Sequence, residues 1–526
     1  MIADSNKQEE FDVIVIGSGI GGLTSAAILS RLYKKKVLVL EQHYIAGGFT
    51  HGFDRKGKFH WDVGVHYVGE MGKGELGKAV FDYITEGRLK WQKMPDPFEK
   101  FVYPDLTFDL YSDPKRYAAD LIELFPHERL AILRYFKDVQ KATFCFLGYA
   151  LLEVLPGFLQ PLVKKILDRF GSFVRLTNKE YFDSRFQDDK LKGVLMSQWG
   201  DYGLPPSTAC FGQHCNVVSH FLKGGWYPIG GGAAIAPSII PTIEKGGGRV
   251  LTKQRVMEII IEDGVATGVR VQHSTKSGVP ATTYHAPVII SDAGAVNTYL
   301  KLIPADYPLA CRDSIQSFPK GTNLIALYLG LKESAQKLGF QGENHWIHRT
   351  YHHDDIIENF SESAHNPPQF CYLTFPSLKN PLATGDTAEI IAGIDYNCFT
   401  QWEQQTWKRR DCDYTELKAK ITESLLDFVE ITYPGFRDLI EYAELATPLT
   451  FEHFSASDRG AVYGIPWIPA RLDLTWASSK TPVKNLYLTG VDTFPSAIMG
   501  GMMGGVKTAG IVNGSFGFFN VMAHVM

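Results

Sequence analysis

A strand, a glycine-rich turn, a helix and a second strand at the start of the chain constrain its fold more than any other feature. Residues 11–16 form a continuous apolar run, which is typical of a buried parallel strand. The motif G-x-G-x-x-G follows directly at 17–22, and an Ala- and Leu-rich helix is predicted over 23–32. Residues 37–40 form a second apolar strand. This unit predicts an α/β protein with a Rossmann-like sheet and a dinucleotide at the start of the helix.

The residue types in the motif suit the binding of a pyrophosphate. Gly17 permits the tight turn, Gly19 lets backbone N–H groups approach the phosphates, and Gly22 lets the helix pack on the strand. Glu41 ends the second strand, where its carboxylate can accept hydrogen bonds from ribose hydroxyls.

Three features favour FAD over NAD as that dinucleotide. The sequence has no second G-x-G-x-x-G after a strand. Gly47 and Gly48 follow Glu41 closely, where an extended FAD needs close backbone approach. Residues 486–492 form a strand and turn before another glycine-rich helix start, so the far end of the chain can hold the ribityl and pyrophosphate groups. Glycines cluster in three distant segments, within residues 17–48, 224–248 and 490–505, and are expected to converge on one cofactor.

Composition argues against several other classes of protein. A net charge of −4 provides no basic field for nucleic acid. The seven cysteines contain no C-x-x-C pair, which predicts neither disulfides nor a metal site and favours a reducing compartment. The first ten residues lack the apolar core of a signal peptide, and no uninterrupted apolar run is long enough to span a bilayer. We therefore expect a cytoplasmic protein.

One apolar segment, residues 144–163, suggests contact with a membrane surface. Pro156 and Pro161 interrupt it, and Lys164 and Lys165 follow it. Short interfacial helices and a helical core segment of a second domain both fit this pattern. Residues 515–526 fit either contact with a membrane or a terminal helix that packs on the protein. Peripheral association with a membrane is the expectation that we carry forward.

Several stretches of the sequence resemble a known family. They are residues 12–22, 39–43, 46–48, 64–69, 84–87, 202–203, 223–231, 291–294, 459–464 and 487–492. Together they cover nearly the whole chain. The chain resembles the flavoprotein amine oxidase and phytoene desaturase superfamily and, within it, the retinol saturases and carotenoid isomerases.

The resemblance implies a two-domain flavoprotein that binds FAD without a covalent link. It implies that Val256 contacts the adenine through its backbone, that Asp292 lines the flavin domain, and that Gly490 and Asp492 meet the pyrophosphate and ribityl groups. The predicted cofactor residues are Gly17, Gly19, Gly22, Glu41, Gln42, Gly47, Gly48, Val256, Asp292, Gly490 and Asp492.

The predicted architecture has two domains, each built from separate segments. Residues 1–75, 225–300 and 481–526 are expected to form a discontinuous Rossmann-like FAD-binding domain. Residues 76–224 and 301–480 are expected to form an α+β substrate-binding domain with membrane-facing helices.

Reduction of a C=C bond needs a hydride from the flavin and a proton from an acid of the protein. The candidate acids are His66, Tyr67, Asp201, Tyr202, His214, His220, Tyr227 and Tyr463. We predict catalytic roles for His66 and Tyr67, which follow the Gly47-Gly48 turn near the expected flavin ring, and for Tyr202. Packing or flavin positioning is the alternative for each of them.

The predicted function is FAD-dependent saturation of a C=C bond in a hydrophobic polyene of the retinoid or carotenoid kind. The protein would be an oxidoreductase that acts on CH–CH groups, with a hydrophobic small molecule and a membrane surface as partners. Redox-neutral cis–trans isomerisation, desaturation and action on unsaturated fatty acyl chains remain alternatives, as does a carrier without activity. No feature of the sequence identifies the electron donor or acceptor.

Overall fold

The computed structural model describes residues 10–526 except for 277, 279, 361–363, 365 and 496. In chain order, the strands are β1 (Val13–Ile16), β2 (Val37–Leu40), β3 (Gly52–Arg55), β4 (Phe59–Asp62), β5 (Trp91–Lys93), β6 (Glu99–Tyr103), β7 (Leu106–Leu110), β8 (Trp226–Pro228), β9 (Arg249–Leu251), β10 (Gln254–Glu262), β11 (Val265–His273), β12 (Thr282–His285), β13 (Val288–Ser291), β14 (Leu324–Leu331), β15 (Asn344–His348), β16 (Phe370–Thr374), β17 (Thr387–Gly393), β18 (Ile440–Ala446) and β19 (Leu486–Leu488).

The helices, in the same order, are α1 (Ile20–Arg31), α2 (Leu76–Thr85), α3 (Pro114–Leu124), α4 (Arg129–Ala150), α5 (Gln160–Phe170), α6 (Asn178–Arg185), α7 (Asp189–Met196), α8 (Phe211–Phe221), α9 (Ile235–Lys245), α10 (Ala295–Asn297), α11 (Arg312–Ser317), α12 (His353–Glu358), α13 (Pro376–Lys379), α14 (Cys412–Thr432), α15 (Pro448–Ser455), α16 (Ala497–Val512) and α17 (Gly517–Val525).

A parallel sheet with the strand order β19-β13-β1-β2-β9 contains the N-terminal unit. Its strands β1 and β2 are fully buried, which accounts for their continuous apolar sequences. The strands come from the beginning, the middle and the end of the chain. The mixed α/β fold with a Rossmann-like sheet is therefore confirmed, whereas the domain limits stay a prediction.

Helix α1 begins at Ile20, earlier than predicted, because the last glycine of the motif already lies in its first turn. It packs closely against α16. A Cβ atom at Gly505 of α16 would lie only 2.5 Å from the carbonyl oxygen of Gly21. The glycines near the C-terminus thus allow two helix backbones to approach beside the parallel sheet.

A second sheet of seven strands, in the order β18-β14-β17-β16-β15-β6-β7, is antiparallel except for the pair β15 and β6. Alternation along β14 separates its two faces. Ile325, Leu327 and Leu329 belong to the same apolar cluster as residues of α14. Ala326 and Tyr328 face a large cavity instead.

Helices α3–α8 lie in the sequence between β7 of the second sheet and β9 of the parallel sheet. The helix predicted from Pro114 through the 130s is two helices, because a short 3-10 turn begins at Pro126. The apolar segment 144–163 contains the end of α4, a 3-10 turn at Leu152–Val154 and the start of α5. Within the described residues, no helix combines the length and apolarity needed to cross a membrane.

Candidate functional site

A cavity of about 750 Å³ is lined by residues of both large sheets. One side is formed by the glycine turn before α1 and by the carboxyl ends of β1, β2, β13 and β19. Ligands of open α/β sheets bind at this edge. The other side has mostly apolar walls, from β14, β17 and β18 and from helices α4 and α8.

Glu41 connects three parts of the wall at the start of α1. Its Oε2 accepts hydrogen bonds from the backbone N of Ser18 at 2.9 Å and from the Ser18 hydroxyl at 2.6 Å. The same hydroxyl accepts a hydrogen bond from the backbone N of Gly47 at 3.0 Å. Glu41 therefore holds the two glycine turns together, and a carboxylate has further lone pairs for ribose hydroxyls.

Asp292 lies among the glycines of the turn. A Cβ atom at Gly19 would be 2.5 Å from Oδ2 of Asp292, and one at Gly21 would be 2.7 Å from its Oδ1. Burial raises the pKa of Asp292 to about 7, and the charges of Glu41 and Asp492 act in the same direction. The turn therefore has no room for side chains, because the Asp292 carboxyl group already occupies it.

Asp492 joins the C-terminal turn to two other segments. Its Oδ2 accepts a hydrogen bond from the backbone N of Ala295 at 2.7 Å, and its Oδ1 accepts one from the backbone N of Ile465 at 2.8 Å. The buried Arg471 donates to the backbone oxygens of Val491 and Asp492 at 2.9 and 3.0 Å. These contacts fix the wall next to Gly490.

The predicted cofactor residues lie mostly on one continuous wall. The cavity is lined by Gly17, Gly19, Glu41, Gln42, Gly47, Gly48, Val256, Asp292, Gly490 and Asp492. Gly22 does not line it and instead packs against the turn, where a Cβ atom would be 2.4 Å from the carbonyl oxygen of Gly17. Glycine backbone, a helix start and a ribose-binding acid are the groups that hold a dinucleotide, so this wall fits one.

Tyr67 and Asp201 form a polar pair in the otherwise apolar part of the cavity. The Tyr67 hydroxyl donates to Oδ2 of Asp201 at 2.6 Å, and its ring stacks on Phe221 at 4.1 Å. Burial and the nearby charge of Glu99 raise the pKa of Asp201 well above its ordinary value. Glu99 accepts hydrogen bonds from Gln198 and Trp346 at 2.7 and 2.8 Å. The arrangement favours the protonated form of the Asp201 carboxyl group beside the cavity.

His66 lines the cavity beside a second polar cluster. Its Nδ1 lies 3.3 Å from Oε2 of Glu389, and its backbone oxygen accepts a hydrogen bond from Nζ of Lys379 at 2.7 Å. Burial, followed by the charge of Lys379, lowers the pKa of His66 to about 3. Burial also lowers the pKa of Lys379 to about 7. His66 is therefore a neutral imidazole at neutral pH.

Tyr202 faces away from the cavity. Its hydroxyl accepts a hydrogen bond from Asn178 at 3.0 Å and lies 3.4 Å from Nδ1 of His214, in a buried layer between helices. Its predicted catalytic role therefore has no support from the cavity geometry. The adjacent Asp201 faces the cavity instead.

The other candidate acids are divided between the wall and the core. His220 and Tyr463 line the cavity, and each makes one hydrogen bond to the backbone, with Gly69 at 2.8 Å and Gly200 at 2.8 Å respectively. His214 is buried against the hydroxyl of Tyr135 at 2.8 Å. In the described part of the chain, no cluster of three or more His, Cys, Asp or Glu side chains could hold a metal ion.

The sequence analysis did not select three buried charged residues that lie behind the cavity wall, Glu99, Lys379 and Glu389. Glu389 and Glu99 each interrupt an otherwise apolar strand pattern, in T-A-E-I-I-A and in F-E-K-F-V-Y. A charge inside a buried strand is rare without a functional or paired role. The charged residues within the strands were visible in the sequence, but the sequence could not show which groups they would contact in the fold.

Comparison with known proteins agrees with this geometry. Residues 15–84 match the model of a protein family described as an NAD(P)-binding Rossmann-like domain. An all-trans-retinol 13,14-reductase of Danio rerio is 34% identical over 97% of this chain and 87% of its own length. The chloroplastic prolycopene isomerase 2 of an Oncidium hybrid cultivar is 26% identical over 97% of this chain and 85% of its own.

Among solved structures, cyclohexylamine oxidase from Brevibacterium oxydans has the same fold. Its TM-score is 0.60 at 14% identity, and the match covers 98% of this chain and 100% of the oxidase chain. The fold and the glycine-lined wall define a protein of the dinucleotide-binding Rossmann-like class. Within that class, the chain belongs to the all-trans-retinol 13,14-reductase family. The predicted resemblance and the prediction of an oxidoreductase acting on CH–CH groups are thus confirmed.

Proposed function

We propose that this protein saturates a C=C bond of a retinoid-like polyene with FAD as its cofactor. The observation that carries the proposal is the Tyr67–Asp201 pair, at 2.6 Å, in a mainly apolar cavity whose other wall fits a dinucleotide. The similarity to the all-trans-retinol 13,14-reductase of Danio rerio supports it. Bound reduced FAD would supply the hydride, and the protein has to supply the proton.

The Tyr67–Asp201 pair is suited to deliver that proton. Burial and the charge of Glu99 raise the pKa of Asp201 well above its ordinary value, which favours its protonated form. A positioned acid of this kind typically accelerates proton transfer by ~10²–10⁴-fold. We propose catalytic roles for His66 and Tyr67, as predicted from the sequence, and also for Asp201.

The apolar part of the cavity supports a long hydrocarbon substrate. Its walls include Leu147, Val217, Phe221, Ile391 and Phe451. Such walls exclude water from a reacting polyene and impose its position by packing.

We also propose the division into domains predicted above, since every strand of the parallel sheet lies within the three segments assigned to the FAD-binding domain.

The exposed apolar side chains near α5 support docking of the protein on a membrane. Phe144, Phe158 and Leu162 are 76%, 81% and 58% exposed. Leu147 and Leu151, close to them in the chain, line the cavity. An amphipathic helix with exposed apolar residues binds the interface between headgroups and acyl chains. A polyene dissolved in the bilayer would then enter the cavity beside α4.

Liposome flotation tests this docking. We expect the double variant Phe158→Ser with Leu162→Ser to float less than the wild-type protein. Leu382→Ser is the matched control, because Leu382 is 65% exposed and lies outside this region. Equal flotation of the double variant and the control would refute docking through α5.

Anaerobic flavin spectroscopy tests the activity. The enzyme is reduced without oxygen and mixed with all-trans-retinol, and the spectrum and the product mass are followed. Saturation predicts return of the oxidised flavin spectrum and a product with two additional hydrogen atoms. A flavin that stays reduced beside unchanged polyene would refute the proposal, whereas reduction of oxidised flavin by the polyene would indicate desaturation.

Redox-neutral cis–trans isomerisation is the second candidate function. The similarity to a prolycopene isomerase over 97% of the chain favours it. It predicts a changed isomer of unchanged mass, with no net change in the flavin spectrum. Replacing the retinoid with an unsaturated fatty acid in the same assay tests the alternative of acyl substrates.

A further inference from the structure

Behind His66 lies a group of buried polar atoms that have no hydrogen-bond partner among the described residues. They are Nδ1 of His66, both carboxyl oxygens of Glu389, Oδ1 of Asp62 and Nε2 of His60. An unpaired buried polar atom costs roughly 1–3 kcal/mol. Native proteins pair nearly all such atoms with protein groups or ordered water. Several of them side by side therefore mark a polar space that suits water.

These groups form a row from the cavity to the surface. Oε2 of Glu389 lies 3.3 Å from Nδ1 of His66. Strand β17, which contains Glu389, packs against β4, which ends at Asp62, and the charge of Asp62 together with burial raises the pKa of Glu389. Oδ1 of Asp62 lies 3.6 Å from Nε2 of His60, whose Nδ1 lies 2.8 Å from Oδ1 of Asp54.

The exposure of the side chains gives the row a direction. Asp62 and Glu389 are 0% exposed, while His60 is 35% exposed and Asp54 73%. The other end, His66, lines the cavity. The row thus connects solvent with the reaction space through groups that can all bind and release protons.

Two neighbours hold the row in place. Lys379 donates to the backbone oxygen of His66, to Oδ1 of Asn344 and to Oγ1 of Thr374. All three N–H groups of its ammonium are therefore engaged, and Lys379 acts as a positioning residue. The Tyr227 hydroxyl donates to Oδ2 of Asp62, which leaves Oδ1 facing His60.

Tyr372 links the row to the proton donor proposed above. Its ring lies 5.6 Å from that of His66, and its hydroxyl is also without a partner among the described residues. Burial raises the pKa of Tyr372, and the charges of Asp201, Glu99 and Glu389 raise it further. Its ring also lies 4.7 Å from that of Trp346, which donates to Glu99, so Tyr372 lies between His66 and the carboxyl cluster beside Asp201.

We propose that Asp54, His60, Asp62, Glu389 and His66 form a water-assisted path that carries protons from solvent to the cavity. This inference rests on the proposed saturation. Each turnover consumes one hydride and one proton, and the two carbons of the C=C bond each gain one C–H bond. The hydride, which carries both electrons, comes from the reduced flavin. The proton comes from the Tyr67–Asp201 pair, which the path then reloads.

The first test follows proton delivery in the flavin-loaded protein without polyene. Infrared spectroscopy records the protonated carboxyl band of Glu389 and its exchange after transfer to D₂O. Glu389→Gln identifies the band by removing it. We expect Asp62→Asn to slow the exchange at least about tenfold, because it removes the link to His60. Unchanged exchange in Asp62→Asn would overturn the path, whatever the protein's substrate is.

The second test measures turnover. All-trans-retinol is added while excess dithionite keeps the flavin reduced, and we expect Glu389→Gln to slow saturation over many turnovers at least about tenfold while flavin content stays normal, because the pair has to be reloaded after each turnover. Formic acid, supplied by an added formate buffer, is a small proton donor and should restore the rate. Glu128→Gln is the control, since Glu128 is buried and binds the backbone N of Asp188 at 2.9 Å, outside this row.

The two tests distinguish failure of the proton path from failure of the proposed saturation. A slow Glu389→Gln variant that formate does not rescue, with an unchanged solvent isotope effect, would indicate a purely structural role and overturn the path. Absence of saturated product with the wild-type protein would overturn the proposed saturation instead. The infrared exchange would then still decide whether the path conducts protons.

Discussion

Replacing Gly21 with alanine tests how the glycine turn determines the shape of the cofactor cavity. A Cβ atom at Gly21 would lie 2.5 Å from the Cα atom of Gly490 and 2.7 Å from Oδ1 of Asp292. Ordinary contacts begin at 3.4 Å, so the Gly490 turn has to retreat by about 0.9 Å. Gly490 lines the cavity, and the retreat therefore displaces its wall.

The magnitude of the effect follows from two opposing contributions. Alanine in place of glycine within a helix gains ~1 kcal/mol, whereas overpacking a close contact costs ~1–3 kcal/mol. We expect a net loss of stability of ~0–2 kcal/mol, too small to unfold the protein. A displacement of about 1 Å in a positioned site costs ~10²-fold in function. The affinity for FAD should therefore fall at least about tenfold while the fold persists.

The assay is fluorescence titration of the flavin-free protein with FAD, together with flavin content after gel filtration. Gly157→Ala is the matched control, because a Cβ atom there meets nothing within 4 Å and the residue has no positive φ. Equal FAD affinity in Gly21→Ala, Gly157→Ala and the wild-type protein would refute the reasoning. Circular dichroism of each variant checks that the fold is retained.

Three further predictions concern charged and proton-donating groups. Tyr67→Phe and Asp201→Asn should retain FAD and lower single-turnover flavin oxidation by ~10²-fold; wild-type rates in both variants would exclude the pair as the acid. Burial raises the pKa of Asp292 from 3.8 to about 7. Between pH 3.8 and 7 the folded protein keeps a proton on Asp292 that the unfolded chain has lost, so the free energy of unfolding falls as the pH rises through this range. Asp292→Asn should flatten this dependence in thermal unfolding of the flavin-free protein, and an unchanged slope would contradict it. Burial raises the pKa of Glu153, but Lys507 at 2.6 Å more than offsets this and lowers it, so the pair stabilises above the ordinary pKa and is lost as pH falls through the lowered one. Glu153→Gln should cost ~3–5 kcal/mol near neutral pH in chemical unfolding, and a loss below 1 kcal/mol would refute that role.

Local patterns explain why the dinucleotide wall could be predicted. The strands β1 and β2, the turn at 17–22 and Glu41 are contiguous in sequence, so spacing alone brings them together. The glycines of α16 were predicted to approach a cofactor. The structure adds a contact between helix backbones, where Gly505 meets Gly21.

The proton-handling groups were harder to predict because the strand order of the second sheet brings them together. Lys379 lies 313 positions after His66, yet its ammonium group contacts the backbone oxygen of His66. Asp201 and Tyr202 are neighbours in a tight turn, and no periodic pattern shows which of them faces the cavity. The sequence analysis therefore placed Tyr202, rather than Asp201, among the predicted catalytic residues.

The assembly of the parallel sheet from three segments has a consequence for biosynthesis. Strand β19 begins more than 470 positions after β1, and the turn that follows it provides Gly490 and Asp492 to the cavity. A nascent chain emerges from the ribosome N-terminus first. Until β19 pairs with β13, the edge of β13 is unpaired and the cavity lacks one wall. The proposed FAD would therefore bind only after β19 has been translated and has paired with β13.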